Sequence, residues 1–283
     1  PEEQKKLEIY RGATFVTYLD PNARKAPAAG QTVRFAAVKM KDDKYWAPIN
    51  VGAITIKNKA VSTANTDITD DAGKLFQWGR SQGLNATNDA TTCNDEANLG
   101  DLGHPTREDL ADMSKWDGKF INGDGDLHNN WLQINGNGLP NPDEYVEDSW
   151  YLQLWNANNG KDNANPVKGA HDPCPAGWRV PTSDEWEKIG ASFDGNPSGA
   201  TINDANSVIV PGKESGKNLI LPAAGYHKYS TGASFFQGSN GSYWSSSVPA
   251  ASTTASYVNF NSAGKLGTNT SSASYTHLTL PTT

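Results

Sequence analysis

Sulfur is scarce in this chain: two cysteines, Cys93 and Cys174, and two methionines in 283 residues. Two cysteines far apart exclude a four-cysteine zinc site and a C-x-x-C redox motif. Three states remain open for them: one disulfide in an oxidising compartment, two lone buried thiols, or a thiol whose partner lies outside this chain. Long apolar runs are missing as well. No stretch approaches the ~18 residues that a membrane span needs. Basic charge is also short, since 24 Lys and Arg face 31 Asp and Glu for a net charge of −7. That balance argues against a nucleic-acid partner. The first residue is Pro1 and no signal peptide is visible, so the chain reads as a piece of a longer product.

Acid is absent from the C-terminal quarter. Glu214 is the last acidic residue, so residues 1–214 carry −10 and residues 215–283 carry +3, from Lys217, Lys228 and Lys265. What the chain does have is 9 Trp, 27 Gly and a mean hydropathy of −0.63. This mix reads as a loop-rich fold around an aromatic core.

Residues 1–30 are charged and then Pro/Ala-rich, which reads as a linker or the edge of an upstream domain. Residues 32–52 predict a hairpin around the polar turn Lys41–Lys44, and "KLFQWGR" (74–80) a short strand. "HPTREDLADMSKW" (104–116) predicts a helix capped by Thr106, with Leu110 and Met113 on one face. Residues 117–170 read as a long ordered loop region.

The densest stretch is "DPCPAGWRVPTSDEW" (172–186). Thr182 and Glu185 have capping-box spacing, and Pro181 bars the helix from extending backwards. Trp186, Ile189 and Phe193 share one helical face, which predicts a core helix with Trp178 and Trp186 buried. Strands are predicted at 207–212, 218–225, 241–246 and 256–264, with Val258 and Phe260 inward and a turn at 262–265. The end, "SYTHLTLPTT" (274–283), resembles the read-through translation of a sequencing-library adapter. Residues 273–283 are accordingly expected to be a non-native tail outside the fold.

Catalytic patterns are poorly represented. Gly79-Arg80-Ser81-Gln82-Gly83 matches G-x-S-x-G, but no helical pattern follows, so Ser81 reads as a loop serine. "GKESGK" (212–217) lacks the spacing of a phosphate loop, and the five histidines stand alone. No cofactor is expected. The one metal candidate is a loose calcium loop at Asn122, Asp124 and Asp126, which alternate as calcium ligands do. Gln133 at its twelfth position and Leu127 at its sixth exclude an EF-hand, and a solvated Gly/Asp turn is the competing reading.

Residues 225–272 combine Tyr, Phe, Ser, Gly and Asn with no acid. Rigid aromatic area beside adaptable hydrogen-bonding groups is the composition of antibody binding loops. This face reads as built to bind.

In order, "KYWAPINVG", "LFQWGR", "DPCPAGWRVPTSDEW", "LPAAGY" and "GSYWSSS" resemble the Fibrobacter succinogenes major paralogous domain family of Bacteroidetes surface proteins. The likeness spans roughly residues 33–272. It implies an α+β, C-type-lectin-like fold over 31–272, with short twisted antiparallel sheets, two main helices and long ordered loops. It also implies a place on a bacterial surface, in the medium or on a phage particle, and a distant kinship with formylglycine-generating enzymes. The catalytic cysteine pair of those enzymes is absent, because no Cys follows Cys174. The acidic sugar-binding triplets of animal lectins are absent too: "NPD" (141–143) stands alone and serines follow Trp244. The family's closing V-R-C strand is also missing.

Residues 225–254 are similar, more narrowly, to the variable region of diversity-generating-retroelement target proteins. That similarity implies a scaffold of Gly225, Tyr226, Gly238, Gly241, Tyr243, Trp244, Ser245 and Ser246, with Trp178, Trp186 and Cys174 as structural support. The display positions it implies are His227, Lys228, Tyr229, Ser230, Ser234, Phe235, Phe236, Gln237, Ser239, Asn240, Ser242, Ser247, Val248, Pro249 and Ala250. A non-catalytic domain that binds a protein or glycan ligand is the expected function. A sulfatase-modifying type of enzyme and a surface-fibre tip are the alternatives.

Overall fold

The computed structural model describes residues 15–18, 33–53, 72–86, 104–123, 131–132, 150–160, 163–190, 201–202, 207–229, 232–249, 254–261, 266–271, 276–277 and 279–281. The chain is α+β, with small, mostly antiparallel sheets and little helix. Strands β1 (Phe15–Tyr18) and β2 (Val33–Ala36) pair with each other. β3 (Val38–Lys39) and β4 (Tyr45–Asn50) form the expected hairpin, closed by the Met40 N–H to the Lys44 carbonyl at 2.8 Å. β5 (Leu75–Phe76) turns back into β6 (Gly83–Leu84). The G-x-S-x-G segment is therefore a hairpin connection with Ser81 exposed, not a strand-to-helix elbow.

β7 (Thr201–Ile202), β8 (Ser207–Pro211) and β9 (Asn218–Pro222) make one three-stranded sheet. β10 (Tyr226–His227) pairs with β11 (Ser234–Phe235) alone. β12 (Gly241–Trp244), β13 (Ala255–Phe260) and β14 (Leu266–Ser271) join β5 and β6 through β15 (Thr276–His277), in the order β14-β13-β12-β15-β5-β6. β16 (Thr279–Pro281) runs along β4. The tail expected outside the fold thus lies within two sheets: its backbone is parallel to β12 and antiparallel to β5. The edges of β12 and β5 both offer backbone hydrogen-bonding groups, which recruit any extended segment within reach.

Of the two helices expected, one forms among the described residues, α1 (Ser183–Lys188). Residues 104–116 form two 3-10 turns, Glu108–Ala111 and Ser114–Trp116. Two side chains divert that helix. The Thr106 N–H and hydroxyl both donate to Asp109 Oδ2, so Thr106 does not cap. Asp112 is extended, and its carboxylate accepts the Ser114 N–H in a local turn that competes with the helix. Met113 is still buried and Leu110 packs against the core. α1 does start as read, with the full Thr182–Glu185 capping box, and ends before Ile189, which is buried. Phe193 lies outside the described residues. No helix among the described residues is long and apolar enough to cross a membrane.

The core has two main parts. One gathers Trp78, Trp116, Trp131, Trp155, Trp178 and Trp244. The other packs Trp46 and Trp186 of β4 and α1 against β8, β9, Tyr243, Val258 and Phe260. Each buried Trp hides roughly 150–250 Å², worth about 4–6 kcal/mol. Four of their indole N–H groups donate to backbone carbonyls far away in sequence, while those of Trp46, Trp155 and Trp178 are buried without a partner among the described residues. Trp78 donates to Ser245, Trp131 to Trp78, Trp244 to Phe76 and Trp186 to Trp244, at 2.8–3.2 Å. The Tyr243 hydroxyl donates to the Pro222 carbonyl at 2.6 Å, and burial pushes its phenol up.

Candidate ligand-binding site

The frame begins at Asp172. Its buried carboxylate accepts the N–H groups of Cys174 and Val180, both at 2.8 Å, and the Lys168 ammonium at 2.7 Å. One side chain thus ties down the whole Pro-rich loop. Cys174 is a free, buried thiol, held up by burial first and by Asp172 second; Cys93 lies outside the described residues.

Arg179 then points at α1. Its two terminal nitrogens meet the two carboxylate oxygens of Glu185 at 2.7 and 2.5 Å, a bidentate pair with both partners buried. Lys44 reaches the same carboxylate from the β3–β4 turn. Burial alone would raise the Glu185 pKa; the two cations and the Thr182 N–H overcome it and hold the group at about 2. The capping residue of α1 is therefore also the hub that fixes the 172–186 stretch to β4.

The serines after Trp244 lock onto this frame. Ser246 N–H donates to the Pro181 carbonyl at 2.7 Å. Ser247 Oγ accepts the Ser183 N–H at 2.8 Å, satisfying one of the free donors at the start of α1, and donates to Asn163 Oδ1. Ser245 Oγ donates to the Ser256 carbonyl on β13 at 2.9 Å.

From this base rises the β10–β11 hairpin. Gly225 has φ +71°, and a Cβ there would lie 2.3 Å from the Phe235 carbonyl, so only glycine fits. Its N–H donates to Asn240 O at 2.7 Å, and the Gly238 N–H donates to Ala223 O at 2.7 Å. Across the pair, Tyr226 stands opposite Phe235. Their rings stack at 5.8 Å between centroids, with Phe236 at 5.9 Å from Tyr226 and 6.2 Å from Phe235. Phe236 is 54% exposed and Phe235 38%; among the described residues only Val167 joins them as an exposed large hydrophobic. Phe236 also adopts φ +57°, a left-handed conformation rare for so bulky a residue. Its carbonyl accepts from the Ser239 N–H, the Ser239 hydroxyl and the Asn240 N–H, which holds that conformation.

The implied display set divides along this geometry. Lys228, Phe235 and Phe236 are exposed, while Tyr229, Ser234, Ser239, Asn240 and Pro249 are half-exposed. Ser230 and Ala250 lie outside the described residues. Five positions are corrected because they are buried: His227, Gln237, Ser242, Ser247 and Val248. His227 packs against Phe120 and its Nδ1 donates to the Gly232 carbonyl at 2.5 Å; burial keeps the imidazole below its usual pKa. Ser234 Oγ lies 3.4 Å from both ring nitrogens, beside the ring rather than in line with one, so it packs there and is not poised as a nucleophile. Ser242 sits in β12 between core faces, Ser247 caps α1, and Val248 donates its N–H to the Gly160 carbonyl. Gln237 is packed at the hairpin root against the space left by Gly225.

The implied display set omits one member of the ring cluster. Tyr226, assigned to the scaffold, belongs to the exposed ring cluster. The signal was present in the sequence: an aromatic on each side of a Gly-containing polar turn is a cross-strand pair. Asn122 lies where the Gly123 N–H meets the Tyr229 carbonyl at 2.8 Å, whereas Asp124 and Asp126 fall outside the described residues. Among the described residues no group of three His, Cys, Asp or Glu side chains could hold a metal. No protein-family model matches the chain, and comparison with curated proteins and with solved structures gave no match.

Proposed function

We propose that this chain is a non-catalytic ligand-binding or adhesion domain with a C-type-lectin-like fold, working outside the cell on a bacterial surface or phage particle. Its ligand is a protein or glycan on another surface, met by the exposed part of the β10–β11 hairpin. The observation that carries the reading is the cluster of Tyr226, Phe235 and Phe236 on a hairpin whose root is held by main-chain bonds. Exposed apolar clusters of this kind on a polar protein mark interaction sites.

The test is a pair of substitutions chosen to spare the fold. Phe235→Ser with Phe236→Gly should abolish attachment of the purified domain to its target cells. The melting temperature should hold or rise slightly, because glycine relieves a left-handed strain worth about 1–2 kcal/mol. Undiminished attachment would reject the reading.

The variable-region reading predicts a pattern among isolates. Sequencing this locus should show substitutions at Lys228, Tyr229, Ser234, Phe235, Phe236, Ser239 and Asn240. His227, Gln237, Ser242, Ser247 and Val248 should stay constant. Equal variation at the buried five would refute display from this hairpin.

A further inference from the structure

We infer that the hairpin's partner is a polypeptide whose docking segment pairs an apolar anchor with carboxylates, rather than a glycan. This rests on the ligand-binding reading above and adds the chemistry of the ligand.

Three features select it. First, two of the three clustered rings are phenylalanines, which offer area without a polar handle. Second, the serine hydroxyls beside them are already engaged within the chain. Ser239 Oγ donates to the Phe236 carbonyl at 3.0 Å, and Ser234 Oγ packs at the His227 ring. A sugar ring presents many hydroxyls and needs a matching set of directed partners, including acceptors. Leaving them unpaired on binding costs more than stacking returns. Third, charge is one-sided. Lys228 is exposed at the start of the turn that ends in Phe235, and no acidic residue occurs anywhere after Glu214. An acidic segment is therefore attracted at this hairpin, while the −10 carried by residues 1–214 disfavours its docking elsewhere on the chain. Apolar anchoring supplies the affinity and the carboxylates supply the orientation.

The experiment uses the intact chain and two defined probes. One is a displayed library of random dodecapeptides, the other an array of immobilised glycans. Peptides enriched on the chain should combine Phe, Leu or Trp with Asp or Glu. They should bind at least about tenfold more weakly to the Phe235→Ala, Phe236→Ala double variant. Lys228→Glu should weaken the same peptides and leave the melting temperature unchanged, and added salt should weaken the parent chain's binding. Enriched peptides without acidic bias, or peptides indifferent to Lys228→Glu, would overturn the inference. Glycans bound through the two phenylalanines would also overturn it, while leaving the ligand-binding reading intact. If neither probe loses binding when the rings are removed, both readings fall.

Discussion

Glu185→Gln should lower the unfolding free energy by about 3–5 kcal/mol, measured by chemical denaturation at neutral pH. The carboxylate is 1% exposed, grips both terminal nitrogens of Arg179, receives Lys44, and closes the capping box of α1. Removing its charge strands a buried guanidinium. Replacing Arg179 by Met alone should cost a similar amount, by stranding the carboxylate instead. Combining Arg179→Met with Glu185→Gln should cost much less than the sum, since neither charge is then left alone. Simple additivity in that cycle would show that the pair is not coupled.

The same group sets an acid limit. Its folded pKa of about 2 lies below the ordinary 4.5, so its contribution is complete above pH 4.5. That contribution is lost as pH falls from 4.5 through about 2. Glu185→Gln should flatten the stability profile in that window. The other lowered carboxylates, at Asp43, Asp109, Asp112 and Glu214, are solvent-screened and should contribute far less.

Gly225→Ala should have the second large effect. The added Cβ would sit 2.3 Å from the Phe235 carbonyl and 2.7 Å from the Gln237 nitrogen, in a residue at φ +71°. Both obstacles are backbone, so no side-chain rotation relieves them. The cost should be on the order of 2–3 kcal/mol, a fall in Tm of roughly 4–10 °C, with ligand binding lost as the hairpin tilts. Gly216 is the internal control: it has φ +78° but nothing within 4 Å of an added Cβ. Gly216→Ala should cost only the left-handed penalty of about 1–2 kcal/mol, roughly 2–7 °C in Tm, and leave binding unchanged. Equal effects at the two sites would mean that steric contact at Gly225 does not hold the hairpin.

Local features were the legible ones. The capping box at Thr182 and Glu185 depends on residues three apart, and the strands around Val258 and Phe260 show their burial in their alternation. Features decided by distant partners were not. Ser247 looks like any surface serine until Ser183 and Asn163 arrive from elsewhere in the chain to use both sides of its hydroxyl. His227 reads as polar, yet Phe120 and the Gly232 carbonyl make its place interior. The 104–116 segment has helical spacing, but Asp109 and Asp112 bind backbone or side-chain donors that only the local geometry reveals. The buried guanidinium of Arg80, which donates to the carbonyls of Lys119 and Trp116, gave no sequence signal at all.

The bonds at the root of the hairpin, Gly225 to Asn240, Gly238 to Ala223 and Asn240 to Phe236, run from main chain to main chain. Such bonds use no side-chain atom, so at Ala223, Phe236 and Asn240 they hold whichever side chain is carried, while position 225 must stay glycine. On the display reading proposed above, the outward positions would change while the underlying scaffold stays in register, and one folding solution would serve many recognition chemistries.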